Sequence, residues 1–249
     1  MIGRLRFQSQ MQSTLRVLVA IAALFLGAAS STADEHPDLD AAARRIVAQT
    51  NEFRVAERLT PTTPEPRLLA AARAFADHMA RTDRYSHEAD GRTPPERAQA
   101  QGYDYCIVAE NIAFLMSTTG ASTDALTAAL VDGWKRSPEH RRNMLIPEVV
   151  DTAVAIALSP ASQRYYAVQL LGRPRSAVLR FSVVNASEKP LAYRLGAQRF
   201  DLPPGATRTH EQCRADALTV GDTQKIEPVD GGRYTLEATA QGGVGMRRD

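Results

Sequence analysis

The 249-residue chain carries 30 basic and 28 acidic side chains, 44% hydrophobic residues and 2 cysteines. That apolar fraction excludes a disordered, collagen-like or coiled-coil chain, and two cysteines cannot build a disulfide-dense small scaffold. Arg4, Arg6 and Arg16, with no acid, precede Asp34, so 27 basic side chains remain against 28 acidic ones. Net charge therefore gives no support for a nucleic-acid binder.

The first element in chain order is an export signal. A basic stretch leads into an apolar run over residues 17–29, interrupted only by Gly27, and Ser31-Thr32-Ala33 supplies small residues for a signal peptidase. The run is roughly 13 residues, short of the ~20 that span a bilayer. Cleavage is expected after Ala33, leaving a chain outside the cytoplasm with no transmembrane segment. Export also changes how Cys106 and Cys213 read. An oxidising compartment permits a bond between them, and the alternative is two isolated thiols.

From about residue 37 to 147 the chain reads as mostly helical. Leu39, Ala43, Ile46, Thr50 and Phe53 recur at helical spacing, and residues 60–64, rich in Thr and Pro, end that segment. Leu68, Ala72, Phe75 and Met79 mark a second helix. A short third spans about residues 96–101 and ends at Gly102, and a fourth spans about 122–136. Ser137 fits an N-cap and Pro138 a first helical position, which puts His140 in the first turn of a short helix stopping before Pro147. Residues 149–158 and 164–171 are rich in Val, Ile, Tyr and Leu and read as strands, so this part is an α+β unit.

The last ~75 residues differ: strand-like runs at 178–184, 191–195, 199–202, 234–238 and 244–247 alternate with turn signals. Their spacing suggests a small antiparallel β-sandwich or barrel. Asn185-Ala186-Ser187 fits a glycosylation sequon, a triplet that also occurs by chance. The expected division is 1–33 signal peptide, 34–175 α+β domain and 176–249 β-rich domain.

His87-Glu88 has Gly91 where a helical zinc-protease motif needs its second His, and no G-x-S-x-G elbow, P-loop or C-x-x-C pair occurs. Candidate chemistry falls in three places that read as loop-rich. They are Tyr85-Ser86-His87 with Asp90-Gly91-Arg92 and Arg97, then Glu110-Asn111-Ile112-Ala113, and then Trp134 to Asn143 around Ser137-Pro138 and His140-Arg141.

In order and spacing these three blocks resemble the CAP superfamily of cysteine-rich secretory, antigen 5 and pathogenesis-related 1 proteins (SCP domains), in its bacterial branch. The resemblance runs from about Ala41 to Gly172 and takes in Asn51-Glu52-Phe53-Arg54 and Tyr165 to Gln169. It implies a CAP-like α-β-α sandwich, here followed by a small all-β domain, and a surface cleft lined by His87, Glu110 and His140. Ser137, Asn111 and Tyr166 are further cleft residues by position. Where animal and plant members have a second glutamate this chain has Ser137, and Tyr166 stands near the place of a strand histidine. A divalent metal such as zinc would then have at most three protein ligands, His87, Glu110 and His140. A helix N-terminus at His140 should lower its pKa and favour the neutral, metal-binding imidazole. Alternatively, the three residues hydrogen-bond one another and tie loops together.

Three functional readings follow, the third being a purely structural role at the cell envelope. One is an exported, periplasmic or extracellular binding module for a small apolar ligand, lipid, peptide or envelope component. Another is a metal-assisted hydrolase using His87, Glu110 and His140. A Ser–His hydrolase using Ser86 or Ser137 is weaker, because neither serine lies in a nucleophile elbow. Arg97, Asn111, Arg141 and Asn143 are expected to satisfy backbone near the cleft. His36, His78 and His210 have no partner legible in the sequence.

Overall fold

A computed structural model describes residues 36–214, 216–221, 224–239 and 242–249. The expected leader and its cleavage point lie outside the described residues. No described helix is long and apolar enough to cross a membrane.

Five helices and four strands come first: α1 (Leu39–Ala56), β1 (Thr63–Pro64), α2 (Pro66–Thr82), α3 (Pro94–Ala100), β2 (Tyr105–Met116), α4 (Thr123–Arg136), α5 (Pro138–Met144), β3 (Asp151–Ser159) and β4 (Arg164–Pro174). The helices start where the sequence provides caps. The Asp38 side chain accepts from the Ala41 amide, Ser122 from that of Ala125, and Thr93 and Glu96 close a reciprocal capping box. The exception is Ser137, which precedes α5 without a side-chain capping bond. Its amide instead donates to the Gly133 carbonyl, because α4 runs directly into α5 with no residues to spare.

The strands form one sheet in the order β1-β3-β4-β2. One face carries α2 and α3, packed through Leu68, Ala72, Phe75 and Met79 onto Ile112, Ala155 and Val168. The other carries α1, α4 and α5, packed through Ile46, Leu130, Trp134 and Met144 onto Val154 and Ala167. This is an α-β-α sandwich. Helices on both faces explain why β4 is buried along nearly its whole length and reads as a continuous apolar run.

Strand β2 departs from the sequence reading, which takes residues 37–147 as mostly helical with a loop at Glu110. The twelve-residue strand from Tyr105 to Met116 pairs with β4, with a register shift at Cys106, Asn111 opposite Gln169 and Ala113 opposite Ala167. The polar pair Glu110-Asn111 in mid-strand hides the apolar pattern. It is tolerated there because each side chain finds partners on its own face of the sheet.

Arg54 locks the helices that carry the site. It is fully buried, and its guanidinium donates to the carbonyls of Thr60, Met144, Ile146 and Val149. One side chain thereby fixes the end of α5 and the turn into β3 to α1. Burial pushes its pKa down.

The C-terminal strands are β5 (Leu179–Asn185), β6 (Leu191–Leu195), β7 (Gln198–Leu202), β8 (Thr207–Gln212), β9 (Leu218–Val220), β10 (Gln224–Ile226), β11 (Arg233–Ala238) and β12 (Val244–Arg248). They make two four-stranded sheets, β10-β9-β6-β7 and β12-β11-β5-β8. Between them lies a core that includes Phe181, Val183, Tyr193, Leu218, Tyr234 and Leu236. Pairing is not wholly antiparallel as expected: β5 and β11 run parallel, with Tyr234 opposite Val183. Such a pair needs a long connection, and β6 to β10 supply it. Asn185, the sequon residue, is fully buried, and its amide donates to the carbonyls of Lys189, Leu202 and Pro203.

Cys106 at the start of β2 and Cys213 just past β8 form a disulfide, with Cα atoms 5.3 Å apart and 107 residues between them in sequence. Of the two readings of the cysteines, the bonded one holds. Beside the bond Ile107, Val149 and Leu171 form a small core against Cys213.

Candidate functional site

Glu110 and Asn111 lie in mid-strand, so their side chains leave on opposite faces of the sheet. Glu110 points to the α2–α3 face. Its Oε1 accepts from His87 Nδ1 at 2.8 Å and its Oε2 from Arg97 Nη2 at 2.6 Å. The carboxylate is 1% exposed and Arg97 4%. Burying such a charge is costly without pairing, and here a guanidinium compensates it directly.

Arg97 is held in turn. It donates to Asp90 Oδ1 and to the carbonyls of Arg92 and His87, and its guanidinium lies 3.5 Å from the Phe75 ring centroid. It fixes the loop at residues 87–92 around the charge of Glu110. The sequence reading treats Arg97 as satisfying backbone; it does that and is also the counter-ion. Its position on α3, thirteen residues before Glu110, offers no local signal of this pairing.

Asn111 points the other way and is fully buried. Its Nδ2 donates to the His140 carbonyl and to Gln169 Oε1, while its Oδ1 accepts from Asn143 Nδ2. Asn143 Nδ2 also donates to the Glu110 carbonyl. These bonds fasten α5 to β2. β2 is an edge strand of the sheet. Tyr85 Oη and Trp134 Nε1 both donate to the outward carbonyl of Ile112, satisfying that edge.

The two imidazoles are pushed in opposite directions. The hydrogen bond to Glu110 raises the His87 pKa, with burial opposing. Burial lowers that of His140, the charge of His87 adds to the effect, and Glu139 opposes. The direction for His140 matches the sequence reading, but its main cause is desolvation rather than a helix terminus. With Nδ1 donating to Glu110, His87 presents Nε2 outward from a side chain that is 51% exposed.

Of the expected cleft residues, His87 and Glu110 are in direct contact, Asn111 lies on the opposite face of β2 as a core bolt, and His140 is tied to Asn111 only through its carbonyl. Ser137 is half-buried at the α4–α5 junction. Tyr166 is fully buried, and its hydroxyl donates to Asp83 Oδ1. His78 Nε2 meets the Ala89 carbonyl at 3.1 Å, and His210 Nε2 meets Tyr193 Oη at 2.6 Å. Both have partners that sequence alone did not reveal. Among the described residues, no group of three or more His, Cys, Asp or Glu side chains gathers, so a three-ligand metal site is not in place. Glu110 has both oxygens committed, so the donor left at this carboxylate is the second ring nitrogen of His87.

Residues 47–171 match the cysteine-rich secretory protein family, CAP, over just over half of the 249 residues. The chain belongs to this family. Among solved structures it is similar to an extracellular SCP-domain protein from Bacillus anthracis, with 19% identity and a TM-score of 0.45 over 54% of this chain and 41% of that one. It is also similar to an outer surface protein from Borrelia burgdorferi, with 16% identity and a TM-score of 0.46 over 53% of this chain and 91% of that one. A cysteine-rich secretory protein from Staphylococcus aureus gives 15% identity and a TM-score of 0.43 over 55% and 40%. The chain therefore spans about two fifths of the Bacillus and Staphylococcus proteins. No match emerges among curated protein sequences.

Proposed function

We propose that the protein is exported and acts outside the cytoplasm as a non-catalytic binding module. Its polar contact point is the imidazole pair His87–His140, and a divalent metal ion such as zinc is the ligand it takes there. One observation carries this reading: Glu110 spends one oxygen on His87 Nδ1 and the other on Arg97. A carboxylate so placed orients an imidazole for an ion at its other nitrogen, the usual outer partner of a metal-binding histidine. The same commitment argues against a hydrolase, since a carboxylate paired to a buried guanidinium is poorly placed to take a proton from water. Two protein donors give moderate rather than tight binding.

Zinc titration by calorimetry tests the site. The unaltered protein should bind one ion, and His87→Ala/His140→Ala should not; equal affinities in the two would reject the metal reading. Export rests on the leader composition. N-terminal sequencing of exported protein should begin at Asp34, and recovery of residues 17–29 in that material would refute cleavage.

A further inference from the structure

An apolar groove lies at the opposite edge of the sheet from Glu110, between α1 and α2, with a volume of about 550 Å³. Val47 and Ala48 of α1, Leu69 of α2, and Ala153 and Val154 of β3 line it, and an Arg73–Asp40 ion pair stands among its walls.

Its floor is a strand edge whose partner stops early. β1 pairs with β3 only at Asp151 and Thr152, with the Thr63 and Glu65 amides donating to the carbonyls of Val150 and Thr152. At Pro66 the chain turns away into α2. β3 nevertheless continues to Ser159. Backbone groups of alternate residues point to the same edge. Those of Val154, Ile156 and Leu158 therefore face the same way as Thr152, while Ala153, Ala155 and Ala157 face β4. Among the described residues the outward groups of Val154, Ile156 and Leu158 have no hydrogen-bond partner.

We infer that this edge takes an extended peptide segment of a partner polypeptide, which continues the short β1 ladder along Val154, Ile156 and Leu158. An acyl chain could fill the apolar walls but would leave the strand's N–H and C=O groups unpaired, at a real desolvation cost. An added strand satisfies both walls and floor, with alternate side chains directed toward α1 and α2. Charge favours a segment carrying an acid: Arg44 lines the groove, is exposed, and has no ion-pair partner among the described residues.

The probe is a fluorescein-labelled hexapeptide of alternating Val and Thr with one terminal Glu, titrated into the full chain by fluorescence anisotropy. Amide exchange is followed by NMR. In the free protein the Val154, Ile156 and Leu158 amides should exchange faster than those of Ala153, Ala155 and Ala157, and peptide should slow them. N-methylation of the peptide's edge-facing amides should abolish binding, whereas N-methylation of the intervening ones should not. Ala48→Trp, an exposed position whose new side chain enters the groove, should weaken binding about tenfold or more.

Three results would overturn the inference. Slow exchange of Val154, Ile156 and Leu158 in dilute free protein would mean the edge is already satisfied. Protection that grows with protein concentration would identify a second copy as the occupant. Binding of a fluorescent fatty acid, blocked by Ala48→Trp while the peptide fails to bind, would identify an acyl chain.

Discussion

His87 and His210 each have one close polar partner, yet their surroundings differ in every other respect. His87 is half-exposed on a buried carboxylate that Arg97 also holds. His210 is 8% exposed, bonded to Tyr193 Oη, stacked on Phe181 at 5.2 Å and edge-on to Phe200 at 4.9 Å. The first is an anchored imidazole with a free nitrogen; the second is a core residue with its ring enclosed. Partner type and burial, not residue type, separate a histidine that can meet a ligand from one that fills a sandwich.

The strongest way to break the contrast is to uncouple the two regions. Cys106→Ala/Cys213→Ala removes the disulfide that links them across a sequence separation of 107. In the chain-entropy model that bond contributes about 4–5 kcal/mol, and denaturant unfolding should show a loss of that order. Arg54→Ala comes next. It leaves the carbonyls of Thr60, Met144, Ile146 and Val149 without their donor inside the fold, and should cost about 3–5 kcal/mol. Because α5 then loses its tie to α1, the His140 resonance should shift while that of His210 stays in place.

Acidity sharpens the contrast, because the two histidines respond with opposite sign. Burial lowers the His210 pKa. The unfolded chain takes up that proton first, so the His210 contribution is full above the unfolded histidine value and is lost as pH falls through the range below it. His210→Gln should flatten the part of a thermal-stability profile that lies below the unfolded histidine value of about 6.5. His87 has a raised pKa, so its contribution is full below the unfolded value and is lost as pH rises through its folded value. Half-exposure makes that effect the smaller of the two, and Glu110→Gln should remove it.

Much of this architecture is legible in the sequence because its signals are local. Helical stripes mark α1 and α2, Gly102 the end of α3, Pro138 the start of α5, and β6 falls on the expected residues 191–195. What escapes is whatever depends on distant partners. β2 is masked by Glu110-Asn111, whose polarity makes sense only once Arg97, His87 and Gln169 are in place. The parallel β5–β11 pair joins segments some fifty residues apart, and no local pattern announces it. The three-block resemblance brings His87, Glu110 and His140 together but leaves open whether Glu110 faces a ligand or His87. Tyr166, placed by position in the cleft, is buried beneath it because its strand is covered on both faces.

The central claim is that Glu110 and Arg97 anchor His87 through Nδ1 and leave Nε2 for a ligand, while burial lowers the His140 pKa. Imidazole 15N NMR across a pH titration of the metal-free protein reads this directly. His87 should hold its proton on Nδ1 when neutral and titrate above the usual histidine value, with His140 below it. A neutral His87 protonated on Nε2, or a His87 that titrates below His140, would contradict that claim.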